Sequence, residues 1–304
     1  MALNSPSHRF GQIIGDILED TMIKYLQPVA DKYTLFLDYR HSRNARNGQK
    51  DVRWKDINDN IHKLDIVMEK NGDENHFGEP VVFIEIAWRR YTKHSKNKAQ
   101  EISGAIQPLI TKYSTSTPFF GAIVAGVFTQ NSLNQMTSEG FQVVYIPIDI
   151  IKNAFAVVGI DAHWEENTNG SIMQEKVDAV GRLNSSDIEM IKDELINLTK
   201  DKLSEFRLKL CNYLERKIDT IRIISLFGDE STFTNIHEAC NFIASFTENI
   251  KQPKLYKFEI YIKYSNGDRV EAQYKERSDA IAFLRKLDTQ YMVESNVISF
   301  LKGI

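Results

Sequence analysis

The feature that most constrains this chain is residues 80–88, apolar throughout except for one carboxylate, Glu85. Such a run, with Gly78 before it and Arg89 and Arg90 after it, reads as a buried strand. A carboxylate inside it carries a desolvation cost unless something positive neutralises it. Residues 64–69 (Leu-Asp-Ile-Val-Met-Glu) form a second strand, and the glycine-rich polar residues 71–78 form the loop that joins the two. Asp65 lies at the start of residues 64–69. A divalent cation shared by Asp65 and Glu85 would relieve both acids.

The flanking sequence places these strands in an α/β fold. Residues 10–22 carry apolar side chains at helical spacing, and the helix is predicted to end before Pro28. Residues 34–39, 119–128 and 141–146 read as further strands, the last stopped by Pro147, and a helix begins near Ser95. The order is helix, three strands, helix, strand, followed by a short helix and another strand.

Asp65 and Glu85 on adjacent strands, with a helix before and a helix after, resemble the PD-(D/E)xK nucleases, the restriction-endonuclease-like superfamily. The resemblance covers about residues 8–150. It implies an αβββαβ core with a mixed sheet and hydrolysis of DNA phosphodiester bonds with Mg²⁺, for which Mn²⁺ can substitute. It also implies a restriction or defence role of the type II restriction-endonuclease kind. Asp65 and Glu85 match the two acids. Leu64 stands where the family often has proline, and Ala87 where it has lysine. The family lets that lysine migrate, which points to Lys98 at the start of the following helix, with Lys63, two residues before Asp65, as the second candidate. In many members the first helix sends a glutamate toward the metal, and Glu19 is the matching residue. Gly15, one turn earlier, would let that helix close on the sheet. The alternative is that Asp16, Glu19 and Asp20 form a solvated face.

These residue types suit the chemistry. Carboxylates hold Mg²⁺, which polarises a phosphate and lowers the pKa of the attacking water. A lysine adds a point charge that offsets developing negative charge.

Charge placement points to DNA on a chain whose formal net charge is only −3. Between Tyr39 and Lys55 lie Arg40, Arg43, Arg46, Lys50, Arg53 and Lys55 against a single acid, Asp51; a second run holds Arg89, Arg90, Lys93, Lys96 and Lys98 with no acid. Local basic segments on an acidic chain suggest a directed groove, although an Asn-, Arg- and Gly-rich loop can equally be solvated. Trp54, within the basic loop, can stack on an unpaired base or anchor the core. Trp88 falls on the opposite face of its strand from Glu85, where packing is expected. His62 and His94 flank the acids.

Other classes lack support. Cys211 and Cys240 stand alone, the histidines form no metal-ligand pair, and there is no Walker or Rossmann fingerprint, so neither a structural disulfide, zinc nor a small-molecule organic cofactor is expected. Residues 1–9 are polar, and the longest apolar run, 119–128, is too short for a bilayer; a cytoplasmic protein without membrane association is expected.

Past the turn-rich residues 165–171, a helical stripe runs from Ser185 through Ile218 with a break, its apolar face forming core or a dimer seam. Residues 257–264, the turn at 265–268, residues 269–274 and a helix at 278–287 then make a strand, strand, helix unit that reads as structural or as a reader of DNA. The expected division is a nuclease domain over 1–157 and a helical, α+β accessory domain over 158–304 for dimerisation or DNA recognition. A homodimer is expected, because a two-fold pair cuts both strands of a two-fold site most simply. Two other readings stand beside the restriction enzyme: a catalytically inactive nuclease fold acting as a nucleic-acid-binding or scaffold subunit, and a repair or effector nuclease with little sequence preference.

Overall fold

A computed structural model of the 304-residue chain describes residues 5–92, 95–114, 116–225, 230–247 and 257–287. The chain divides into two compact units, the first holding residues up to Tyr113 and from Pro118 to Cys211, the second holding Ser114–Thr117 and everything from Asn212. The first unit therefore runs on well past residue 157. It does so because helices α5 (Gly170–Gly181) and α6 (Ser185–Leu198) pack on α1 (Pro6–Lys32) and belong to the same core.

Helix α1 starts where Ser5 accepts a hydrogen bond from the His8 N–H and a proline occupies the first turn. Phe10, Ile14, Ile17, Leu18, Met22, Leu26 and Val29 are buried along it at helical spacing. It passes through Pro28 instead of ending before it. The proline removes one backbone bond, and burial of Leu26, Val29 and Ala30 on both sides of it holds the helix together.

The central sheet is mixed. Strands β1 (Leu35–Asp38), β4 (Ile66–Lys70), β5 (Glu79–Arg89), β6 (Phe119–Gly126) and β7 (Gln142–Pro147) lie in the order β1-β4-β5-β6-β7. The β1/β4 and β4/β5 pairs are antiparallel, and β5/β6 and β6/β7 are parallel. Between β1 and β4 the chain inserts a hairpin, β2 (Val52–Lys55) with β3 (Ile61–Leu64), in a sheet of its own. The first acid-bearing strand is thus two pieces, with Asp65 in the bend between them.

Helix α2 (Ser95–Lys112) connects β5 to β6, as parallel strands require. Its Ala99, Ile102, Ile106 and Leu109 share a core with Val67, Phe83, Ala87, Ala122 and Val124 of the sheet and with Met136 of α3 (Gln130–Ser138). Trp54 belongs to this core at 7 % exposure, its ring 5.5 Å from Phe77 and 5.7 Å from Tyr113. It is an anchor, not an exposed stacking platform. Helix α4 (Ile148–Ala156) packs against β6 and β7.

The long helical stripe is two helices, α6 and α7 (Lys200–Leu214), parted at Thr199. Asn184, one residue before the predicted start, caps α6 in a reciprocal box with Asp187. Ile218 lies outside the helix and begins a strand.

The second unit is a four-stranded antiparallel sheet in the order β11-β10-β8-β9, from β8 (Ile218–Ser225), β9 (Glu230–Phe233), β10 (Phe258–Tyr264) and β11 (Arg269–Tyr274). Each hairpin is followed by a helix, α8 (Ile236–Ser245) and α9 (277–287). Ala239 and Ile243 of the first and Ala280 and Leu284 of the second cover one core with Ile221, Ile223, Ile260 and Ile262. The strand, strand, helix unit expected at the carboxyl side is present and has an unexpected counterpart before it. Among the described residues, no helix is long and apolar enough to cross a membrane.

Candidate active site

Four segments carry the charged residues singled out by the sequence. Asp65 sits in the bend between β3 and β4. Because Ile66 pairs with Ile84, it comes level with Glu85 on β5. Its Oδ2 accepts the Ile86 backbone N–H at 2.6 Å, which fixes the carboxylate against the neighbouring strand. Glu85 is 5 % exposed and alternates with Phe83 and Ala87 toward the core shared with α2. Its Oε1 is buried without a hydrogen-bond partner. Glu19 comes from the middle of α1 and Lys98 from the first turn of α2.

Electrostatics tie the four together. Burial pushes the Glu85 carboxyl well above its ordinary range and the Asp65 charge pushes it further, while Lys98 pulls it back. Burial also raises Asp65, against the Ile86 N–H and Lys98. Glu19 is pushed up to about 7, first by burial and then by the charges of Asp65 and Asp16, with Arg40 opposing. Acids raised by burial and, for Glu85 and Glu19, by neighbouring carboxylates mark a place where a bound cation is favoured.

The donor set fits a hard divalent ion such as Mg²⁺: all oxygen, with a buried orphan atom on Glu85. Among the described residues, no three His, Cys, Asp or Glu side chains stand assembled as a ready cage. Cation binding would therefore draw these carboxylates together.

Ala87, which stands where the PD-(D/E)xK nucleases have lysine, is 3 % exposed. Lys63 is directed elsewhere, to Asp51 at 2.8 Å. Lys98 is the cation that both Glu85 and Asp65 feel, and Glu101 lies 3.5 Å from its ammonium.

The first basic segment divides into two populations. Arg43 and Arg46 are interior, at 0 % and 6 % exposure. Arg43 makes a two-pronged contact with Glu69 at 2.5 and 3.1 Å and binds the carbonyls of Asp73 and His76; Arg46 holds Asp38 at 2.5 Å. Both arginines are consumed by the fold and cannot reach phosphate, which corrects the DNA-binding role expected of them. Arg40, Lys50, Arg53 and Lys55 are exposed, Arg53 beside Asp51 at 3.1 Å. His62 holds the turn of the β2–β3 hairpin through Asp56 at 2.8 Å.

In the second basic segment, Arg89 donates to the Trp88 carbonyl, and Arg90 donates to the Trp164 carbonyl and lies over that ring at 5.3 Å. Lys96 is exposed. Lys93 and His94 lie outside the described residues.

Beside the acids a groove of about 590 Å³ runs along α1, lined among others by Gly11, Gly15 and Glu19, by Trp88 and Arg90 at the end of β5, and by Lys98. Gly15 does not bring the helix onto the sheet as its spacing suggested: a Cβ added there would meet nothing within 4 Å. Nothing in the sequence points to Trp164, which walls the groove from 76 residues beyond Trp88 by number and touches it only through the fold. Gly11 and Gly15, four apart on one helical face, were the available signal.

No protein-family model matches the chain, and neither a curated protein nor a solved structure does.

Proposed function

We propose that this protein is a metal-dependent endonuclease that hydrolyses DNA phosphodiester bonds on a restriction-endonuclease-like αβββαβ core. The observation that carries the reading is the meeting of Glu19, Asp65, Glu85 and Lys98, from three separate elements and a bend, in one electrostatically linked cluster. Helix, antiparallel β1, β4 and β5, crossover helix and parallel β6 follow in the order that such a core has.

Asp65, Glu85 and Glu19 would hold Mg²⁺, or Mn²⁺ in its place, which would supply Lewis-acid charge and a water of lowered pKa. Asp65 keeps its orientation through the Ile86 N–H. Glu85 offers an oxygen that nothing in the protein uses. Lys98 stands in for the lysine missing at Ala87 and offsets the negative charge that develops on the phosphate. Arg89 and Arg90, which also line the groove, would meet neighbouring phosphates. A restriction or defence role in the cytoplasm, and a homodimer for cutting both strands of a duplex, belong to this reading.

The test is cleavage of supercoiled plasmid and of phage DNA at low salt with Mg²⁺, Mn²⁺ or chelator, for wild type and Glu85→Gln side by side. Cutting that needs the metal and disappears in the variant is expected. Discrete bands would mark a sequence-specific restriction enzyme, smears a repair or effector nuclease.

Ala87 favours a second reading, an inactive nuclease fold that binds nucleic acid or acts as a scaffold. It predicts salt-sensitive DNA binding by both proteins and cutting by neither.

A further inference from the structure

We propose that the groove between α1 and the end of β5 receives a single unpaired DNA strand and delivers its phosphodiester to the Glu19, Asp65, Glu85 and Lys98 cluster. This rests on the nuclease reading, and replaces its duplex and two-fold pair with an unpaired strand on one chain.

Size is the first argument. A concavity of about 590 Å³ is the size of a small-molecule site, room for an unstacked nucleotide and too little for a duplex.

Lining is the second. Trp88 and Tyr91 are only partly buried, and the Arg90 guanidinium lies 5.4 Å from the Tyr91 ring, backed at 5.3 Å by the buried ring of Trp164. Flat aromatic and guanidinium surfaces in succession are what bases stack on, in a manner tolerant of sequence.

Charge is the third. Arg89, Arg90 and Lys98 in the groove face Asp16, Glu19 and Glu166. That balance lacks the excess of cations with which proteins bind duplex phosphates, and Arg43 and Arg46, which would have supplied more, are buried in ion pairs.

The floor is the fourth. Gly15 opens on empty space, and one turn earlier the Trp88 ring lies against Gly11, 3.6 Å from where a Cβ would stand. A strand can therefore lie close against the helix on its way to Glu19. An unpaired strand also needs only one site and one chain.

Gly15→Leu tests this, because Gly15 lines the groove and an added Cβ there meets nothing within 4 Å. Gly104→Leu is its control: Gly104 is an exposed glycine on α2 with nothing within 4 Å of an added Cβ, and it lies outside the groove. Binding and cleavage of a fluorescent oligonucleotide, single-stranded and as a duplex, are measured with Mn²⁺ for wild type and both variants, with thermal unfolding alongside.

The expected result is preference of wild type for the single strand, a loss of about tenfold or more in its binding and cutting by Gly15→Leu, and neither loss in Gly104→Leu nor lowered melting in either. Equal or better cutting of duplex, untouched by Gly15→Leu, would overturn the strand groove and leave the nuclease standing. Single-strand binding abolished by Gly15→Leu with no cutting by any protein would support the groove and remove the nuclease. Absence of binding to either oligonucleotide would overturn both.

Discussion

Glu19 shows how one residue carries the cost of a site. Its carboxyl is pushed from 4.5 up to about 7, so folding favours the protonated form. The stability this residue allows is fully present below about pH 4.5 and is lost as pH rises through about 7. In chelator, Glu19→Gln is expected to unfold at a higher temperature than wild type at pH 8, by on the order of 1 kcal/mol after solvent screening, and to match it at pH 4.5. An equal effect at both pH values would place the gain elsewhere. Arg43 is the opposite case, a charge fully inside and fully engaged. Arg43→Ala would leave Glu69 buried and unpaired, and burial already pushes that carboxyl up. A loss of about 3–5 kcal/mol in denaturant unfolding is expected. No sequence pattern distinguishes Arg43 from Arg40, since what separates them is the presence of Asp38 and Glu69 on strands that the basic loop folds over.

Among the elements, β5, α2, β6 and the β10–β11 hairpin were legible, because long apolar runs or strict alternation bounded by Gly, Pro and Asn leave little choice. Two things were not. The β2–β3 hairpin was hidden in a segment of Arg, Asn and Asp, whose few inward residues, Val52, Trp54 and Leu64, are too sparse to show a period. Strand β8 was absorbed into the helix before it, since Leu214 and Ile218 fall four apart as a helix would have them, and the pairing with β10 and β9 decides otherwise. At the site, the acids could be read from their misfit in apolar strands, while the groove wall from residue 164 could not. The α6 cap offers a check at this scale: Asn184→Ala removes the side-chain half of the capping box and leaves the residue-184 N–H on Asp187, and is expected to lower stability by about 1 kcal/mol, read as a shift in denaturant midpoint at unchanged slope.

At the level of the whole molecule, the two units are not successive in the chain. Ser114–Thr117, between α2 and β6, belongs to the second unit, where Arg216 donates to the Ser116 carbonyl at 2.9 Å and pairs with Asp268 at 2.6 Å. Arg216 is 8 % exposed and lies over the Tyr213 and Tyr264 rings at 4.0 and 4.5 Å. Arg216→Ala is expected to lower hydrogen-exchange protection in β8, β10 and β11 and to leave β4 to β6 as they were; equal loss in both sheets would mean that the units open as one. The same contact has a meaning in time. Ser116 and Arg216 are 100 residues apart, and at ribosomal rates of about 5–20 residues per second the loop waits roughly 5–20 s after its own synthesis before its arginine exists. Throughout that interval the nascent chain displays a segment whose place is reserved for a part not yet made.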